Sequence, residues 1–220
     1  MKREFICLAK SEKYKGRCIA GVEIAREGGR LSVLMKQENP KWIRPITSSE
    51  HDEVDESIGS KLNLLGIYQI KGCTEKPVGI QSENCSYEEP NYTRTGQVGL
   101  SLDNLSYLVD NDLQGKLLGN SWNYIDLDQE HLHQRSICLV KVTRPQVRIK
   151  IYKEKRKYRI SFFYNKQYYS DIPVTDPDFK KAFDNNPQLI ELAQHCYLTI
   201  SLAQEFKNRY YKIVAAVILL

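Results

Sequence analysis

Short runs of apolar residues, many alternating with polar ones and split by Gly, Lys and Ser clusters, dominate the chain and predict strands over residues 4–9, 17–25 and 42–46. A further strand is predicted over 62–71, where Leu65, Ile67 and Ile70 are apolar and Gly72 is a stop. From there to about residue 100 the chain is rich in Pro, Gly, Asn and Ser, which predicts a long irregular excursion. Ser101 can cap a short helix in which Leu102, Leu105 and Val109 fall at helical spacing. Residues 110–135 are polar and acidic and read as the connection between two units, spanning 1–135 and 136–220.

The second half is more regular. A strand over 136–143 is followed by Val147, Ile149 and Ile151 alternating with Arg148, Lys150 and Tyr152, a half-buried strand with one basic and aromatic face. Residues 158–164 and 167–172 flank Asn165-Lys166, a pair suited to a tight hairpin turn. Thr175-Asp176-Pro177-Asp178 is a helix start, with Phe179, Ala182 and Phe183 as the inner face. Residues 196–202 alternate again, and 210–220 closes the unit. Five or six strands with one helix before the final pair predict a small closed or partly closed barrel. An open antiparallel sheet with one covering helix meets the same pattern.

Composition narrows the class. Of 220 residues, 41% are hydrophobic and 27% charged, as in a folded globular protein, and the net charge of +5 is too mild to prove a polyanionic partner. Six cysteines are scattered without a C-x-x-C pair, so they read as isolated buried thiols in a reducing cytosol. Cys7 and Cys18 lie on adjacent predicted strands. The basic start is followed by too short an apolar run for a signal peptide, and 213–220 is too short to span a membrane. A cytoplasmic protein with no membrane partner is expected.

Several stretches resemble the dual OB-containing domain, a prokaryotic family named for two predicted OB-fold units. They are Ile6 to Ser11, Gly16 to Gly21, Trp42 to Ile46, Leu64 to Ile67, Gln81 to Asn84, Val174 to Pro177, Tyr197 to Leu202 and Tyr211 to Ile213, in consistent order along the chain. Lys10 stands where Asn is more usual, and Gly66 where Asp is commoner. The resemblance implies a mainly β protein of two OB-fold-like barrels with short helices. It also implies a nucleic-acid-binding sensor or adaptor role in bacterial conflict or antiviral systems.

Charge clustering is the strongest chemical signal. Between Lys141 and Tyr169 stand ten basic residues, opposed by Glu154 alone, with Tyr152, Tyr158, Phe162, Phe163, Tyr164, Tyr168 and Tyr169 interleaved. Cations neutralise phosphates, and a base stacked on a ring contributes about 1–3 kcal/mol without reading sequence. The middle strands of the OB fold, taken here as 147–152 and 158–164, are then the binding face. Arg148, Lys150, Tyr152, Lys157, Tyr158 and Arg159 are the candidates, with Arg17, Trp42 and Arg44 extending the surface. The competing readings are a solvated hairpin tip, Trp42 packed in a core, and Arg44 paired with an acid from the run Glu50 to Glu56. Gly16 and Gly21 read as turn residues.

For an enzyme the inventory is thin. His131 and His133 alternate but have no third ligand in register, His51 and His195 read as surface or satisfied histidines, and Gln81, Glu83 and Asn84 are a loose polar cluster short of a metal-dependent nuclease site. Asp176 is explained by the helix start. The expectation is therefore a non-catalytic module with no cofactor or metal. Its partner is nucleic acid, single-stranded by preference, and a second protein of the same defence system. The alternative is a protein-interaction adaptor whose basic, Tyr-rich surface docks an acidic partner protein.

Overall fold

In the computed structural model, which describes residues 2–49, 52–87, 91–110, 115–132 and 135–220, Lys2–Lys13 (β1) and Gly16–Glu27 (β2) pair antiparallel. Trp42–Ile46 (β3) joins the far side of β2, and Gly66–Lys71 (β4) joins the far side of β1. Asn84–Ser86 (β5) lies parallel to β3 and pairs with Thr74–Glu75, the continuation of β4, so the sheet returns to its own start. Phe5, Cys7, Ile19, Ile43, Tyr68, Ile70 and Cys85 fill the enclosed core. The turn between β3 and β4 includes the short helix Glu56–Gly59 (α1), capped by Asp55. Gly16 and Gly21 lie within β2 rather than in turns. A Cβ on Gly21 would fall 1.9 Å from the Ile6 carbonyl oxygen, so the close crossing of β1 requires glycine there.

Cys73 and Cys85, expected as separate thiols, are joined as a disulfide with Cα atoms 5.6 Å apart. The pairing of Thr74–Glu75 with β5 brings them together, a contact that no spacing motif signals. Cys7 and Cys18 are not joined by a disulfide; β1–β2 register sets Cys7 opposite Gly21 and Cys18 opposite Ser11.

In the second half, Ile137–Tyr152 (β7) is one strand of 16 residues rather than two. Pro145 has no amide to give the ladder, and the chain absorbs it as a bulge with Arg144 at φ 50°, after which pairing resumes at Gln146. Lys155–Tyr164 (β8) and Gln167–Pro173 (β9) follow as hairpins, their turns at Lys153-Glu154 and Asn165-Lys166 having positive φ at both residues. Helix Pro177–Asn185 (α3) starts within the predicted motif, with the cap at Asp176 rather than Thr175: Asp176 accepts hydrogen bonds from the Asp178 and Phe179 amides. Asp176 is buried and also accepts from Val217 N–H, and burial pushes its carboxyl above the usual range. Cys196–Glu205 (β10) and Arg209–Leu219 (β11) then pair antiparallel, β10 also pairing with β7. Val174, at the end of β9, bridges parallel to Val214 of β11, which curls the sheet back on itself. Tyr124–Asp126 (β6) is an extra edge strand on β11. That pairing moves the division of the chain: the compact units are Met1–Asn111 and Asp112–Leu220, not 1–135 and 136–220. The predicted helix after Ser101 is Leu102–Ser106 (α2), with Ser101 accepting from the Asn104 amide.

Candidate nucleic-acid interface

The β7–β8 hairpin carries the charge cluster, and its register sorts that cluster onto faces. Arg148 lies opposite Arg159, Lys150 opposite Lys157, and Tyr152 opposite Lys155. Because side chains alternate along a strand, all six project on one side. Like charges directly opposed cost roughly 0.2–1 kcal/mol per pair, so the fold holds this face against its own repulsion. Asp171 is the acid set against it: its carboxylate lies 2.7 Å from Lys150 Nζ and 3.6 Å from an Arg148 nitrogen, and its carbonyl accepts from Arg159 at 3.4 Å. Asp171 sits in a bulge of β9 at φ 60°, with its amide donating to Ser161 Oγ. An asparagine there would keep the left-handed backbone and remove the charge.

Tyr158 does not belong to this face. It is an odd number of residues from Arg159 and Lys157, so it points the other way, is buried, and donates from its hydroxyl to Asp184 at 2.6 Å. Arg156 and Lys180 stand over its ring. Phe162, Tyr164 and Tyr169 are likewise buried. The rings that share the basic face are Tyr152, exposed near the tip, and Phe163 with its cross-strand partner Tyr168, whose centroids are 5.0 Å apart. Arg144 lies over Phe163 at 5.9 Å. Sequence reasoning left Arg144, Phe163 and Tyr168 out of the site; counting parity forward from Arg159 reaches Phe163.

The first barrel shows a different arrangement on its own β2–β3 surface. Trp42 is only 7% exposed, and its indole N–H donates to both Asp110 carboxylate oxygens at 3.1 and 3.2 Å. Arg44, 3% exposed, pairs with Glu83 at 2.7 Å. Arg17 is paired with Glu56 and approaches Glu12 at 4.0 Å. These residues were expected to extend a binding surface; burial of Trp42 and Arg44 removes both from any surface, and Arg17 is held by acids. The chain itself supplies the anions that a phosphate would have supplied. Glu83, read as part of a loose polar cluster, belongs to the Arg44 pair, and Asn84 donates to Gln81 at 3.2 Å. Glu50, His51 and His133 lie outside the described residues. Among the described residues no three His, Cys, Asp or Glu side chains are grouped to hold a metal ion, and no helix is long and apolar enough to cross a membrane.

In each unit, among the described residues, five of the strands follow the OB order and curl round, with a helix between the third and fourth of them, and this defines the class: OB-fold modules. The dual OB-containing domain model matches residues 3–217, nearly the whole chain, and the protein belongs to that family. No curated protein matches it. In an OB barrel the recognition face lies on the second and third strands with the loops joining strands 1–2 and 4–5. In the second unit those are β8 and β9, one strand further along than the sequence reading placed them, with the turns at 153–154 and 207–208. The second of these turns presents an exposed Phe206 with Lys207 5.4 Å from its ring.

Proposed function

We propose that the second barrel binds single-stranded nucleic acid along the β7–β8–β9 face, and that the protein is a non-catalytic sensor or adaptor module. The observation that carries this reading is the pair of like-charge cross-strand contacts, Arg148–Arg159 and Lys150–Lys157, flanked by exposed rings at both ends. A polyanion relieves the repulsion, and rings serve unpaired bases, which a duplex would keep stacked. From Lys155 to Phe163 the strand runs about 27 Å, at ~3.4 Å per residue. That suits a site at the short end of the roughly 4–16 nucleotides typical of an OB fold. The bacterial defence setting is what the family resemblance implies.

Fluorescence anisotropy with labelled DNA and RNA single strands tests the reading. Four phosphate contacts at about 0.7 each give an expected slope of log K against log salt near −3. No detectable binding at low salt would sink the proposal. Asp171→Asn sharpens the test. Removing the opposing charge should tighten binding about two- to fivefold, the equivalent of ~0.5–1 kcal/mol for a surface charge pair. Weaker or unchanged binding would mean that the Asp171 cations do not face the ligand.

A protein partner is favoured by one observation, on the other side of the same hairpin: Ile151 is 78% exposed beyond Val147 and Ile149. A protein docked on that apolar side would be retained in pull-downs after nuclease treatment, whereas a nucleic-acid-bridged one would be lost.

A further inference from the structure

The edge of the second barrel carries a second group of rings that lies apart from the cationic hairpin. Tyr124 of β6 stands directly opposite Tyr211 of β11, their centroids 6.0 Å apart. Arg209, two residues before Tyr211 and so on the same face, lays its guanidinium carbon 3.9 Å from the centre of the Tyr124 ring. Its Nε donates to Asp126 at 2.9 Å, which fixes the guanidinium in place. Trp122 continues the row: its ring is within 23° of parallel to Tyr124, at 6.4 Å, and it is 67% exposed. An indole left this open at the end of a stack of packed rings has one face with no ring upon it among the described contacts.

The row is held rigidly. The Trp122 amide donates to Asn120 Oδ1 at 3.2 Å, and Asn120 Nδ2 donates to the Tyr124 carbonyl at 2.9 Å. Lys212 clamps Asn120 from below through its carbonyl and side-chain oxygens, both at 2.8 Å. The segment is also tied to the proposed recognition strand, since Asn123 Nδ2 donates to the Ser170 carbonyl at 2.7 Å. Ser170 is two residues from Tyr168 along β9. That bond joins the segment that carries Trp122 to the strand that carries Tyr168, and a ring fixed before binding costs little further ordering when a ligand stacks on it.

We infer that Trp122 is a base-stacking station that extends the single-strand path beyond β9, taking one nucleobase of a strand whose phosphates lie on the β7–β8 cations. This rests on the proposed single-strand binding and adds to it a direction: from the hairpin tip, across Phe163 and Tyr168, to Trp122. The station contributes through stacking and is therefore tolerant of base identity and nearly independent of salt.

The protein holds its own reporter. Of its two tryptophans, Trp42 is buried against Asp110 and Trp122 is exposed, so quenching by an oligonucleotide reads Trp122. A single strand of about ten nucleotides should quench the emission, and a strand of about four, long enough only for the cationic face, should bind without quenching. Trp122→Ala should weaken the longer strand by about 5- to 100-fold, the range expected for one stacked base, leave the short strand unaffected, and leave the salt slope unchanged. Trp122→Phe should recover part of the loss. The outcomes separate the two readings. No anisotropy change with any strand at low salt overturns both. Binding of the longer strand with no quench, or with wild-type affinity in Trp122→Ala, overturns the stacking station and leaves the cationic face standing.

Discussion

Replacing Arg148, Lys150, Lys157 and Arg159 together by glutamine is expected to weaken single-strand binding by about 100- to 1,000-fold at ~0.1 M salt and to flatten the salt slope toward zero. The size follows from counterion release: four lost phosphate contacts at about 0.7 each remove nearly three powers of ten at that concentration. A single reversal separates loss of binding from loss of fold. In Lys157→Glu, Lys150 faces a carboxylate across the strands instead of an ammonium. Turning a like pair into an opposite pair favours the fold by ~0.2–1 kcal/mol, or about 2–4 °C in melting temperature at the upper end. The same change removes two units of positive charge from the face and should cost about 10- to 30-fold in affinity. Melting curves and anisotropy on one preparation check both signs. Weaker binding with a higher melting temperature is the signature of a face selected for its ligand; weaker binding with a lower melting temperature points to a damaged hairpin, and unchanged affinity removes the hairpin from the site.

How much of this was legible before the structure depends on the element. The period-2 alternation of β7 and β10, the Asn165-Lys166 turn and the Asp176 cap are local signals, and each is where local physics puts it. The β7–β8 turn at Lys153-Glu154 carries neither Asn nor Gly, so turn chemistry does not announce that a 16-residue strand ends there. The sequence reading ended one strand at Thr143 and began the next at Val147, but a bulge accommodates Pro145, which has no amide, and leaves the strand continuous. The Cys73–Cys85 disulfide and the parallel contacts that curl both sheets join segments distant in sequence, and neither spacing nor propensity encodes them.

The site divides in the same way. Arg148, Lys150, Tyr152, Lys157 and Arg159 share a face because each obeys the strand period, although the second strand begins at Lys155, three residues before the predicted start. Tyr158 was grouped with them on sequence proximity, and a one-residue offset sends it to the core. Trp42 and Arg44 do share one face of β3, as their spacing requires. What spacing cannot give is occupancy: Asp110, 68 residues from Trp42, and Glu83 return to cover that face. The same blindness hid Trp122 in a polar segment read as a linker, since only the pairing of β6 with β11 reveals its ring as part of a stack.

Lys212 is the residue on which that last arrangement depends, and Lys212→Met is expected to destabilise the second barrel by about 2–4 kcal/mol. Its side chain is fully buried in β11, 5.4 Å from the Tyr169 ring, and its ammonium donates to the Leu117 carbonyl at 2.6 Å and to two oxygens of Asn120. Two opposing magnitudes decide the sign. Freeing the fold from a buried ammonium recovers several kcal/mol of desolvation, which is why apolar replacements of buried charges are often neutral. Against this stand three charge-assisted bonds, each worth about 1.5–3 kcal/mol, and carbonyls that methionine cannot satisfy. Methionine is close to lysine in volume, though one heavy atom shorter, so little of a loss of stability would come from a cavity. Because the bonds end on Leu117 and Asn120, the loss should fall first on the segment leading to Trp122. In urea denaturation the midpoint should drop. In native buffer the oligonucleotide quench of Trp122 should weaken, while short-strand binding to the β7–β8 face persists. Unchanged or increased stability would show that the desolvation cost dominates and that the segment is held instead by Asn123 and by the Tyr169 hydroxyl, which accepts from the Leu117 amide at 2.9 Å and donates to the Asn120 carbonyl at 3.1 Å.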